Sequence, residues 1–140
     1  MITWAMRRSV VASDAELPRA VAGEAHGEGD DPIWSERIDD LLGIRQLEDD
    51  WDGQGAPAPT SEVVDSALVL ALLLRKEGIA PPKLVAQGPS GGIHFDWLPG
   101  GGKYVELRVM RPYQAEILVH VPGSPTRLFT IFTDRRETQL

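Results

Sequence analysis

Two periods divide the chain. Over residues 32–47, Trp34, Ile38, Leu41 and Leu42 recur at helical spacing, with Leu47 further on, while Glu36, Asp39 and Asp40 fall off that stripe. Asp30 or Asp31 is placed to cap this helix, Pro32 suits its first turn, and Gly43 ends or bends it. A second and clearer helix runs from a Thr60 or Ser61 cap to about Glu77. Glu62 and Asp65 in its first turns and Arg75-Lys76 in its last suit the helix dipole. Val64, Ala67, Leu68, Ala71 and Leu74 form its stripe, and Val63, Leu70, Leu72 and Leu73 widen it, so the helix is covered on more than one side. Gly78 ends it and Pro81-Pro82 prevents its resumption.

From Lys83 onward the period becomes two. Residues 83–87 read as a short strand, followed by the turn Gly88-Pro89-Ser90-Gly91-Gly92. Ile93, Phe95 and Trp97 then alternate with His94 and Asp96. After Leu98-Pro99-Gly100-Gly101-Gly102, Val105, Leu107 and Val109 alternate with Tyr104, Glu106 and Arg108. Beyond Arg111-Pro112, Ala115, Ile117, Val119 and Val121 alternate with Glu116, Leu118 and His120, and residues 127–132 supply a last strand. Short turns make neighbouring strands antiparallel. The expected fold is therefore α+β, with two helices packed on one face of a four- to five-stranded antiparallel meander. Residues 32–140 form this single domain. Residues 1–31, rich in Gly, Ala and acids without a period, are expected to be a flexible arm, from which Trp4 and Val10-Val11 can dock as a short strand.

Between the helices lies Leu47-Glu48-Asp49-Asp50-Trp51-Asp52-Gly53-Gln54-Gly55-Ala56-Pro57. Asp52-Gly53 is a turn dipeptide, Gly55 a second permissive point, and Ala56-Pro57-Ala58-Pro59 an extended run. So short a loop needs a pin. Trp51 is expected to supply it by packing beneath the loop against the long helix, beside Trp97.

Charge narrows the choice of partner. The chain of 140 residues carries a net −7, all of it in the front. Residues 1–60 hold 13 acids against 5 bases, whereas residues 61–140 hold 8 against 9. Phosphates need Lys and Arg, so direct nucleic-acid binding is not expected. A basic protein partner fits the acidic front: Glu36, Asp39 and Asp40 on the outer side of the first helix, continued by Glu48, Asp49 and Asp50. Without cysteine the chain has no disulfide, thiolate metal site or cysteine nucleophile. No apolar run reaches a membrane-spanning length, and Arg7-Arg8 is followed by too short an apolar stretch for a signal peptide, so a cytoplasmic protein is expected.

The residues name no reaction. Glu48, Asp49, Asp50 and Asp52 lack the alternate spacing of a Ca²⁺ loop. His94, Asp96, Glu106 and His120 share the sheet face away from the helices. Histidines with a carboxylate can hold a metal or orient a base, but the face reads as solvated mixed charge. Ser90 is followed by a strand rather than the helix of a nucleophile elbow, and no helix follows Gly100-Gly101-Gly102 to make a phosphate loop. No catalytic residue, metal or cofactor is assigned.

Trp51-Asp52-Gly53-x-Gly55-Ala56, a helix, then Pro89-x-Gly91-Gly92-Ile93-x-Phe95-x-Trp97 and the Val105-Glu106-Leu107 strand resemble a class of uncharacterised small prokaryotic proteins. The likeness covers about residues 44–121 and departs at Gln54, where an aromatic residue is more usual. It implies structural roles for Trp51, Asp52, Gly53, Gly55 and Trp97, and a loose kinship with accessory or partner proteins of mobile and defence loci. It carries no activity. The expected function is thus a non-catalytic protein-interaction module with an acidic surface, antitoxin-like or immunity-like. The competing expectation is a small metal-dependent hydrolase built on the carboxylate cluster or the sheet-face histidines.

Overall fold

A computed structural model describes residues 4–7, 30–112 and 114–133. Its elements are β1 (Trp4–Arg7), α1 (Asp30–Ile44), α2 (Ser61–Lys76), β2 (Leu84–Gln87), β3 (Ile93–Gly100), β4 (Lys103–Arg111), β5 (Gln114–His120) and β6 (Arg127–Thr133). The α+β arrangement expected from the two periods is present. Strands β2 to β6 form an antiparallel meander in sequence order, and β1 adds to its far edge beside β6, so the sheet has six strands in the order β1-β6-β5-β4-β3-β2. The five strands β2 to β6 are the meander expected, and β1 adds a sixth from the segment expected to be a flexible arm, where Trp4 lies opposite Thr133 and Arg7 opposite Thr130. The rest of that arm, including Val10-Val11, lies outside the described residues up to Asp30.

Helix α1 begins at Asp30, which leaves Pro32 in the first turn, where its missing N–H costs no hydrogen bond. Trp34, Leu41 and Ile44 are buried and Ile38 is partly buried, but Leu42 is 43% exposed. At about 100° per residue, Leu42 and Ile44 lie about 80° to either side of Trp34, so one helix orientation cannot bury both fully. The helix turns its Ile44 side inward.

Helix α2 is capped as its sequence demands. The Thr60 side-chain oxygen accepts from the Val63 N–H at 3.2 Å. At the other end Gly78, at φ +80°, lets its N–H reach the Arg75 carbonyl at 3.1 Å and the Ile79 N–H reach the Leu74 carbonyl at 3.0 Å. That pair of bonds is a Schellman motif, with Gly78 just past the helix. Val63, Val64, Ala67, Leu70, Ala71 and Leu74 are buried, while Leu72, expected to widen the stripe, is exposed.

The inner face of the sheet carries Val85, Ile93, Phe95, Trp97, Val105, Leu107, Val109, Ala115, Ile117 and Val119, all buried in one cluster with the apolar residues of both helices. Helix α1 packs on α2 and β2, and α2 on β3 and β4. The alternate residues of β2 to β6 point to the opposite side.

Two tryptophans close the core. The Trp34 indole N–H donates to the Ile79 carbonyl at 2.9 Å, and that of Trp97 to the Ala80 carbonyl at 2.7 Å. A helix residue and a strand residue thus hold adjacent peptides of the chain that leaves α2. Each satisfies its own buried polar group as it does so.

Candidate functional site

The loop at residues 49–58 is organised by its own carboxylates. Asp52 Oδ1 accepts from the N–H of Gln54 at 2.8 Å and of Ala56 at 3.1 Å. Asp50 Oδ1 accepts from Gly55 at 2.6 Å, and Asp49 Oδ1 from Ala58 at 2.9 Å. Asp50 sits at φ +66°, a left-handed conformation that a short acidic side chain tolerates, and its N–H donates to the Ala56 carbonyl at 2.7 Å. Asp49, Asp50 and Asp52 are therefore exposed groups with a folding task. Trp51 departs from the expectation. Its ring is half-buried rather than sealed in the core, and its Nε1 donates to the Pro57 carbonyl within the same loop at 3.1 Å. Trp97 belongs with the residue 79–80 connection, on the buried face of the sheet. The carboxylates pin the loop because Asp49, Asp50 and Asp52 lie within reach of its own backbone N–H groups.

The Asp52 carboxyl is held below its ordinary value of 3.8, first by the Gln54 N–H and then by that of Ala56. A native value below the unfolded one means that the charged form stabilises the loop. The contribution is complete above the ordinary value and is lost as pH falls below it, through the lowered native value. We expect loop order to persist from neutral pH to about 4 and to fade below that. Amide exchange at Gln54 and Ala56 measures this, and Asp52→Asn, which keeps the acceptor but not the titration, should flatten the profile.

The remaining acidic residues of the front are exposed. Glu36, Asp39 and Glu48 face solvent, and Asp40 pairs with Arg37 at 3.1 Å. Arg37 also donates from Nε to the Pro82 carbonyl at 2.9 Å, and Arg45 pairs with Asp65. Both bases of the α1 region are thus engaged locally, which leaves the front negative.

On the outer face of the sheet, register brings together residues that sequence alone places only on one side. Asp96 of β3 stands opposite Glu106 of β4, and His94 opposite Arg108. Asp96 Oδ1 lies 3.3 Å from His94 Nδ1 and accepts from the Tyr104 hydroxyl at 3.3 Å. Glu106 Oε1 lies 3.9 Å from His94 Nδ1, while its Oε2 accepts from Arg108 Nε. Burial, and then the negative charges of Asp96 and Glu106, push the Tyr104 hydroxyl well above its ordinary range. His120 stands opposite Tyr104, but its Nδ1 meets Thr126 at 3.1 Å. It stays outside the cluster, so the two sheet-face histidines do not converge. Ser90 sits on the rim of an open depression that His94 and Glu106 also line.

Around this polar centre the outer face is mixed: Arg108, Gln114, Glu116 and His120 share it with large apolar side chains. Leu84, Leu98, Met110 and Leu128 are exposed. Leu84, Asp96, Glu106, Leu118 and Leu128 fall in one cross-strand row from β2 to β6. Sequence reading missed these leucines as a group, because their only signal is a hydrophobic residue at the polar phase of an alternating strand.

No family model, curated protein or solved structure matches this chain. Among the described residues no helix is long and apolar enough to cross a membrane.

Proposed function

We propose that the protein is a non-catalytic interaction module, antitoxin-like or immunity-like, that docks a basic protein on its uncovered sheet face. One observation carries the reading: both helices cover the same face, and the opposite face presents Leu84, Leu98, Met110 and Leu128 to solvent. These four side chains frame the polar centre, with Leu84 and Leu128 at opposite ends of one cross-strand row, so a partner that spans the face would cover them together. The partner's chemistry follows from charge complementarity with a chain of net −7. Glu36, Asp39, Asp40, Glu48, Asp49 and Asp50, which lie on the helix layer, add to the negative field that speeds its encounter at a distance, and the leucines of the sheet face hold it.

The test is binding kinetics with the partner recovered from the native host. Leu84→Asp with Leu128→Asp should raise the dissociation rate at least about tenfold, as expected for residues at the centre of a contact. Asp39→Lys with Asp40→Lys should instead slow association, and rising salt should slow it in the parent protein. A partner indifferent to both pairs of variants overturns the reading.

A further inference from the structure

We propose that His94, Asp96 and Glu106 form a divalent transition-metal site on the outer face, of the Zn²⁺ class. The inference stands whether or not a partner docks on that face. One ring nitrogen and one oxygen from each carboxylate all lie within 4.8 Å of one another. A tetrahedral ion with bonds of about 2.1 Å wants its ligand atoms about 3.4 Å apart. The His94–Asp96 separation of 3.3 Å already meets this, and the His94–Glu106 separation of 3.9 Å closes with a small side-chain rotation.

Two further features point to a cation. Asp96 and Glu106 face each other directly across the β3–β4 ladder, half-buried. Like charges in that relation destabilise a sheet, and Arg108 offsets only one of them. The donors are also already oriented. Tyr104 donates to Asp96, and Arg108 holds the Glu106 oxygen that is turned away from His94. Groups that fix ligand carboxylates in this way are the usual outer layer of a metal site. The donor set selects among ions. A ring nitrogen with two carboxylates favours Zn²⁺ and its first-row neighbours over Mg²⁺, which prefers oxygen alone. Three protein ligands leave a fourth position for water, so the site is held on two adjacent strands and open to the solvent side.

Calorimetric titration of the full chain with ZnCl₂ tests this. One ion per chain should bind saturably, with no comparable heat from MgCl₂. His94→Ala and Glu106→Gln should each weaken binding by at least about tenfold, since even outer-layer groups commonly matter that much. His120→Ala, on the same face but outside the cluster, should leave it unchanged. All three positions are on the solvent side of the sheet, and a melting curve for each variant confirms that the fold persists; Asp96→Asn replaces any variant that fails to fold. The absence of saturable binding overturns the proposal, as does Zn²⁺ binding that survives His94→Ala and Glu106→Gln or disappears in His120→Ala.

Discussion

Trp97→Ala is expected to destabilise the protein by about 3–5 kcal/mol, enough to unfold a large fraction of a marginally stable domain. Trp97 is 1% exposed and stacks on Phe95 with ring centroids 6.2 Å apart. Truncation removes the ring and leaves the Ala80 carbonyl, its acceptor at 2.7 Å, without the indole N–H. Trp34→Ala should fall in the same range, for the same two reasons, at the neighbouring Ile79 carbonyl. Phenylalanine separates the contributions. Trp97→Phe keeps most of the apolar volume and loses the donor, so it should cost about 1–3 kcal/mol, the range for an unpaired buried polar group. Trp51→Ala is the contrast. Its ring is half-buried and its bond to Pro57 closes a local loop, so a loss of about 1 kcal/mol is expected. Urea midpoints for the four variants check the order. Equal losses at Trp51 and Trp97 would show that the loop ring carries the core after all.

That contrast shows what the sequence could and could not convey. Trp34 and Trp97 fall on the apolar phase of a helix and of a strand, whereas Trp51 lies between Asp50 and Asp52, where no period says how far it is buried. What fixes the first two in place is long-range. Trp34 and Trp97 bond carbonyls 45 and 17 residues away, and only the folded chain brings those groups together. Caps were legible because their chemistry is local: Thr60 bonds Val63, and Gly78 closes the helix it follows. Alternation placed His94, Asp96 and Glu106 on one face, because side-chain period in a strand is a backbone property. It could not say that Asp96 faces Glu106 while His120 turns to Thr126, because register depends on where the β3–β4 and β4–β5 ladders shift. Strand β1 was obscured for a different reason. Four residues are too short a run to show a strand period by themselves, and their partner β6 lies at the other end of the chain.

Gly102→Val is expected to cost about 2–4 kcal/mol and to loosen one end of the outer face. Gly102 closes the β3–β4 turn at φ +77°, a conformation that a β-branched residue strongly resists. It also has no room: a Cβ there would lie 2.8 Å from Pro122 Cγ. Pro122 belongs to the β5–β6 turn, and its ring cannot swing aside as a flexible side chain would. The two turns therefore touch at this point, beside the pair formed by Tyr104 and His120. Gly101→Ala provides the control. Gly101 has φ +63° and nothing within 4 Å of an added Cβ, so only backbone strain of about 1–2 kcal/mol should appear. Gly102→Ala should exceed it by the cost of displacing Pro122. The same displacement should raise amide exchange at Tyr104 and His120 while leaving the Ile93–Val109 end of the β3–β4 ladder protected. If Gly101→Ala and Gly102→Ala prove equally costly, and exchange rises at neither residue, then the contact between the turns contributes nothing and the β4–β5 ladder alone holds Tyr104 beside Asp96.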